Sequence, residues 1–325
     1  MTSEVQRKVA SLSLDLDNQW SYMKTHGDPG WQEYPTYLDW SVPRILNFLE
    51  ERQQKITFFI VGKDAKDPRN HDALQAIASS GHEIGNHSFQ HEPWLHLYSE
   101  AELEAELERA EEAINEATGV HPLGFRGPGF SLSSTTLRVL ARRGYRYDAT
   151  VFPNLLNPLA RAYFFATSNL TKEEKEQRKE LFGTWRDALR PVTPFNWQID
   201  NSQLVELPVT TMPVFKTPIH LSYILFASRY SRTLALAYFG FALSMCRMMG
   251  VEPSILLHPL DFIGKDDVGN LAFFPGMDMV AEEKIELVTD VLDAMQKHFE
   301  LVPMIDHVES IGPDLRTMQL DAVAS

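Results

Sequence analysis

The sequence is short of cysteine, of cations and of long apolar runs, and each shortage excludes something. The single thiol among 325 residues, Cys246, cannot close an intrachain disulfide, so a packed core must hold the fold. Thirty Lys and Arg face 44 Asp and Glu, a formal net charge of -14, which argues against nucleic acid as a partner because a phosphate backbone is gripped by surplus cations. The longest uncharged apolar stretch, residues 233–246, is about 14 residues, short of the roughly 20 that a helix needs to cross a bilayer. The opening MTSEVQRKVA carries no apolar signal segment, so the expected location is cytoplasmic.

What is present is the balance of a folded protein, 44% hydrophobic and 23% charged, without repeats or low-complexity tracts. Residues 9–16 alternate apolar side chains with Ser and Asp at a period of two, which predicts a strand, and 38–49 shows helical spacing. The pair recurs: strands at 56–61, 82–85, 123–125 and 145–151 alternate with helices at 71–80, 99–118 and 133–143. Ser99 and Glu102 form a capping box at the start of the helix that follows, whose Leu103, Leu107, Ala110 and Ile114 give one apolar stripe. Strands are also expected at 204–207, 254–257 and 301–304, with a helix at 280–298. Such alternation predicts parallel βαβ units, and seven or eight of them suit a barrel better than an open sheet. The reading is one domain, 1–325, with insertions at about 153–201 and 212–251.

Asp15 and Asp17 leave the same face of the first strand near its C-terminal end, where barrel sites form. The same pair also suits a turn before Asn18. Five of the eleven histidines fall between His71 and His96, and only His87 and His91 stand four apart, the spacing of two imidazoles on one helical turn. They follow a strand, so they reach the end of the barrel where Asp17 lies, and one carboxylate with two imidazoles leaves an open position on a divalent metal. Phe125-Arg126-Gly127-Pro128-Gly129-Phe130 follows another strand and presents either a fixed guanidinium with exposed N–H groups or an ordinary loop. His258 ends the apolar strand at 254–257, as a structural or a catalytic imidazole.

These segments, in this order, resemble the polysaccharide deacetylase family, the NodB-homology or carbohydrate esterase family four group. Thr57-Phe58-Phe59-Ile60-Val61-Gly62, His87-Ser88-Phe89-Gln90-His91, Gly144-Tyr145-Arg146-Tyr147-Asp148 and Leu257-His258 carry the likeness, over roughly residues 12–258. The resemblance implies an irregular (β/α)7-type barrel. It also implies a metal-dependent hydrolase that removes an acetyl or formyl group from an amino sugar of a glycan or a lipid-linked precursor, with Zn²⁺ the expected ion. In that reading Asp15 is the base, Asp17, His87 and His91 hold the metal, Arg126 orients Asp15, His258 is the acid, and the Gly129 N–H faces the oxyanion. Glu206 is the expected partner of His258, and Trp197 and Phe130 are expected against the sugar. The Asp-x-Asp form also occurs in relatives that open cyclic amides or ureides, as allantoinases do. An inactive carbohydrate-binding relative is the third reading.

Two insertions add expectations. From 207 to 251 there is no Asp or Glu while Lys216, Arg229, Arg232 and Arg247 give +4, so these apolar helices either pack on the barrel or rest on an anionic membrane at its inner face. The stretch 153–201 reads as irregular, a lid over the site or a packed loop. The eight Glu of 100–116 against Arg109 read as a solvated helix face that carries half of the acidity.

Overall fold

A computed structural model describes residues 8–183, 186–312 and 314–320. Among the described residues ten strands form: β1 (Lys8–Leu16), β2 (Thr57–Ile60), β3 (Glu83–Asn86), β4 (Gly124–Phe125), β5 (Tyr147–Asp148), β6 (Phe195–Ile199), β7 (Ser202–Glu206), β8 (Ser254–Leu257), β9 (Phe299–Val302) and β10 (Thr317–Gln319). The helices are α1 (Gln19–His26), α2 (Leu38–Glu51), α3 (Gly62–Ala65), α4 (His71–Ser79), α5 (Glu100–Thr118), α6 (Ser134–Arg142), α7 (Asn157–Thr167), α8 (Lys172–Gln177), α9 (Leu221–Ser228), α10 (Arg232–Met249), α11 (Ala281–Gln296) and α12 (Met304–Ser310).

The sheet runs β10-β6-β7-β5-β4-β3-β2-β1-β8, parallel except for the β6–β7 hairpin. Backbone bonds beyond β7 close the ring: Leu207 N–H to Asp148 O (2.8 Å), Val209 N–H to Val151 O (2.9 Å) and Thr210 N–H to Ser254 O (2.9 Å). Seven strands, β1 to β5 with β7 and β8, therefore make the barrel, while β6, β9 and β10 lie outside it. The period-two pattern of β1 explains its placement. Leu12, Leu14 and Leu16 join the core with Leu38, Val42 and Ile45 of α2, and Ser11, Ser13 and Asp15, on the other face, line the interior.

The structure corrects several expected elements. The late strand falls at Phe299–Val302 and pairs with the first half of β1, and Met304, expected in that strand, starts α12. The stretch 153–201 contains α7, α8 and β6, and is not irregular. On α5 the Ser99/Glu102 capping box forms, but Glu106 and Glu111 are buried, so that face is not wholly solvated. Among the described residues no helix is long and apolar enough to cross a membrane.

Candidate metal and catalytic site

Parallel strands bring their C-terminal ends to one rim, and every segment singled out in the sequence arrives there. The β1–β2 and β2–β3 registers place Asp15 beside Phe59 and Ile60 beside Asn86, with His87 next in chain; Asn86 pairs with Phe125, the residue before Arg126. Asp17 lies one residue past β1, and its N–H bonds back to Asp15 O at 2.8 Å. Asp17, His87 and His91 are all buried, with one ligand atom from each inside a 4.8 Å span.

His87 and His91 are not on a helix. They occupy a loop after β3 with Ser88 and His91 at positive φ, 62° and 52°, which is unusual for residues with a Cβ. Side chains hold the loop in that shape. Asn86 Oδ1 accepts Ser88 N–H (2.8 Å), Ser88 Oγ accepts His91 N–H (3.1 Å), and buried Glu106 Oε1 accepts Phe89 N–H (2.9 Å) and Gln90 N–H (2.6 Å). The i,i+4 spacing thus finds the pair for a reason the loop does not use.

His87 Nδ1 donates to Arg126 O at 2.7 Å, which leaves the Nε2 lone pair facing Asp17 Oδ1 (3.6 Å) and Asp15 Oδ2 (3.8 Å). His91 Nε2 lies 2.8 Å from Asp17 Oδ1. Burial pushes the Asp17 carboxyl up, but His91 and His87 outweigh it and hold it well below the usual carboxylate range. Burial lowers His87, whereas Asp17 overrides burial at His91 and raises it. An oxygen and two imidazole nitrogens, drawn together in a dry setting with His87 fixed in the required tautomer, fit a divalent metal with one coordination position left over.

Arg126 is fully buried. Its Nη1 donates to Asp15 Oδ1 (2.7 Å) and Ser13 Oγ (2.9 Å), and Nε donates to Ala149 O (3.0 Å). Gly129 follows at φ +60°, and a Cβ there would meet Pro93 Cβ at 2.7 Å and Leu181 Cδ1 at 2.8 Å, so only glycine fits. Phe130, at φ 63°, stacks on Phe152 with centroids 4.7 Å apart. The insertion reaches this loop through Leu181 and through Phe182 N–H, which bonds Gly129 O at 3.1 Å.

His258 is half-buried at the end of β8, and its Nδ1 lies 3.3 Å from Ser222 Oγ. Ser222 Oγ also donates to Asp261 Oδ1 at 3.4 Å, and Asp261 Oδ2 accepts the His258 N–H at 2.7 Å. The carboxylate beside the imidazole is thus Asp261, three residues on, and not Glu206. Both Glu206 oxygens are occupied elsewhere, by Val151 N–H (2.9 Å) and Trp197 Nε1 (2.8 Å). Burial and neighbouring Asp148 push the Glu206 carboxyl far up, and burial raises Asp148 as well. Trp197 is fully buried against Phe195 on β6 and offers no face to a sugar. His220, which the sequence reading passed over, is buried with its ring 6.3 Å from that of His258, and burial keeps it neutral. The short span His258-Pro259-Leu260-Asp261 was the available signal for Asp261; nothing local marked Ser222 or His220.

Comparison with known proteins finds similarity in part of the sequence and in the fold. Residues 29–148 match the family model described as polysaccharide deacetylase, a span that includes His87, His91 and Arg126. This stretch, somewhat more than a third of the chain, is similar to the polysaccharide deacetylase family. A peptidoglycan deacetylase of Helicobacter pylori is 26% identical over 163 residues, 49% of this chain and 54% of that protein. The chain thus spans about half the length of this relative. A protein described as a polysaccharide deacetylase from Mycobacterium smegmatis has a similar fold, with TM-score 0.60 at 21% identity over 94% of this chain and 91% of that one. The Puue allantoinase fold is also similar, with TM-score 0.56 at 15% identity over 94% and 91%. Both likenesses are of fold, and Asp15, Asp17 and His258 lie outside the matched span.

The cations of 212–251 are largely engaged within the chain. Arg229 pairs with Asp278 (2.8 Å), Arg232 with Glu286 (2.8 Å) and Asp290 (2.7 Å), and Lys216 Nζ donates to Arg190 O (2.7 Å). Of the four cations that give +4 in sequence, Arg229 and Arg232 are thus neutralised by carboxylates in space.

Proposed function

We propose that this chain is a metal-dependent hydrolase that removes the N-acetyl group from amino-sugar residues of a glycan, with Zn²⁺ held by Asp17, His87 and His91. One observation carries the reading: Asp15, paired to Arg126 at 2.7 Å, sits within 3.8 Å of a ligand imidazole, so a base and a metal triad share one buried rim. When bound, the metal ion polarises the acyl carbonyl and acidifies the attacking water. Asp15 takes the proton that the water loses as its oxygen bonds to the acyl carbon, and Arg126 fixes the carboxylate for that task. The Gly129 N–H, on a loop with no room to relax, donates to the oxyanion. His258 gives a proton to the nitrogen as the C–N bond breaks, with Ser222 and Asp261 orienting its ring, and amine and acetate leave.

The relatives that carry peptidoglycan and chitin deacetylase names support a polymeric N-acetyl sugar over formamides. A cyclic amide substrate has the fold alone behind it, and a retired binding barrel has no use for Asp15, Arg126 and the triad together. A lipid-linked substrate or a membrane seat is left out, because Arg229 and Arg232 are ion-paired within the chain. The test is acetate release from N-acetylglucosamine oligomers and peptidoglycan by the wild type and by Asp15→Asn. Release that falls at least about a hundredfold in the variant supports the assignment, and equal release by both removes Asp15 as the base.

A further inference from the structure

Beside the triad lies a cluster that the reaction does not use. Trp20 of α1 sets its ring edge-on to metal ligand His91, with centroids 6.3 Å apart, and packs on Trp31 at 5.6 Å with the rings tilted by 34°. Lys63, in the first turn after β2, holds its ammonium 4.4 Å from both indole centroids. Lys24 lies 5.7 Å from Trp20, 5.0 Å from Trp31 and 5.8 Å from Trp94, and Arg178, from the insertion, lies 4.4 Å over Trp94.

Three cations thus share three indoles, in a chain whose net charge is -14. Glu92 is the carboxylate in ion-pair contact with them, and it goes to Lys24 at 2.5 Å. Asp64, next to Lys63 in sequence, turns Oδ1 to Trp20 Nε1 and Asn18 Nδ2, both at 2.8 Å. Among the described residues the Lys63 ammonium has no hydrogen bond or ion pair, its backbone N–H going to Phe89 O, and the Arg178 side chain donates only to neutral oxygens while its buried Nε has no partner. Burial and the charge of Lys24 both work against the Lys63 ammonium. A partly desolvated cation that the fold leaves unpaired beside the triad strengthens attraction for an anion entering there, and Trp31 and Trp94, half-buried where Trp20 is buried, leave indole surface for a sugar ring.

We propose that Lys63, between Trp20 and Trp31, is a subsite for a negatively charged substituent, carboxylate or phosphate, on the amino sugar that the site binds. The inference rests on the deacetylase reading for its substrate, and Arg178 adds a second positive charge from the insertion side.

The test titrates the full zinc-supplemented chain with glucosamine, muramic acid and glucosamine 6-phosphate, at low and at high salt. Both anionic probes are expected to bind at least about tenfold tighter than glucosamine at low salt, with the advantage shrinking at high salt. Lys63→Met, which keeps the aliphatic stem between the indoles, abolishes the advantage. Lys66→Met, on an exposed ion pair with Glu116, retains it. The tighter of the two anionic probes identifies the substituent. Equal affinity for charged and neutral sugars, no binding of either anionic probe, or a preference that survives Lys63→Met overturns the proposal. Acetate release from neutral oligomers separates the two readings: release without anion preference defeats only the subsite, and anion preference without release from any substrate defeats only the deacetylase.

Discussion

Replacing Arg126 by Met probes the centre of the account, because the guanidinium is fully buried and its strongest bond goes to a carboxylate that is itself only 5% exposed. The substitution keeps most of the stem but strands the Asp15 carboxylate without its counter-charge. Breaking one side of a buried pair costs about 3–5 kcal/mol, and the orphaned Ala149 carbonyl adds about 1 kcal/mol. Adding Asp15→Asn removes the stranded charge, so the double variant should regain about 2 kcal/mol over Arg126→Met alone, a coupling far outside additivity. Urea unfolding followed by tryptophan fluorescence reads the four corners of this cycle. Activity should drop at least about a hundredfold in Arg126→Met, since the base loses its orientation. An Arg126→Met protein within about 1 kcal/mol of wild type, or an additive cycle, would refute the claim that this pair organises the site.

Further outcomes follow from the same contacts. Ser222→Ala and Asp261→Asn should each lower kcat by about tenfold or more with KM little changed, because they release the His258 ring and touch no substrate group; steady-state kinetics checks this. Gly129→Ala should lose most activity while the protein stays folded by circular dichroism, since the added methyl must displace Pro93 and Leu181 at the oxyanion loop. For Glu206, burial and Asp148 raise the folded pKa above its unfolded value, so the native state binds more protons and this group's contribution to stability declines as pH rises above about 4.5. Glu206→Gln should therefore gain stability relative to wild type between about pH 5 and pH 8, measured by urea midpoints, and a constant difference across that range would contradict the raised Glu206 carboxyl.

The barrel and most of its rim were legible because their signals are local. Alternation in β1, the run of βα units and the Asp-x-Asp, His-x₃-His and Arg-Gly-Pro-Gly segments each lie within a few residues, and parallel strands convert such order into one shared edge. What was not legible depends on contacts between distant segments. Nothing in residue 206 shows that its carboxyl faces Asp148 and Trp197 rather than His258, and nothing in 229–232 shows the carboxylates of 286 and 290 on α11 and of 278 just before it. Trp197, expected against the sugar, is buried on β6, and sequence alone does not distinguish a buried indole from an exposed one. The helical reason for His87 and His91 was misplaced as well, since positive φ at Ser88 and His91 is a tertiary demand enforced by Glu106 on α5.

The most direct measurement is metal content and acetate release taken together on the purified full chain, before chelation, after it, and after zinc is restored. The account predicts close to one ion per chain, loss of both metal and acetate release on chelation, recovery of both with zinc, and no recovery in His87→Ala or Asp17→Ala proteins that remain folded. Acetate release that persists at full rate in the chelated chain, or in a folded His87→Ala variant, would contradict it.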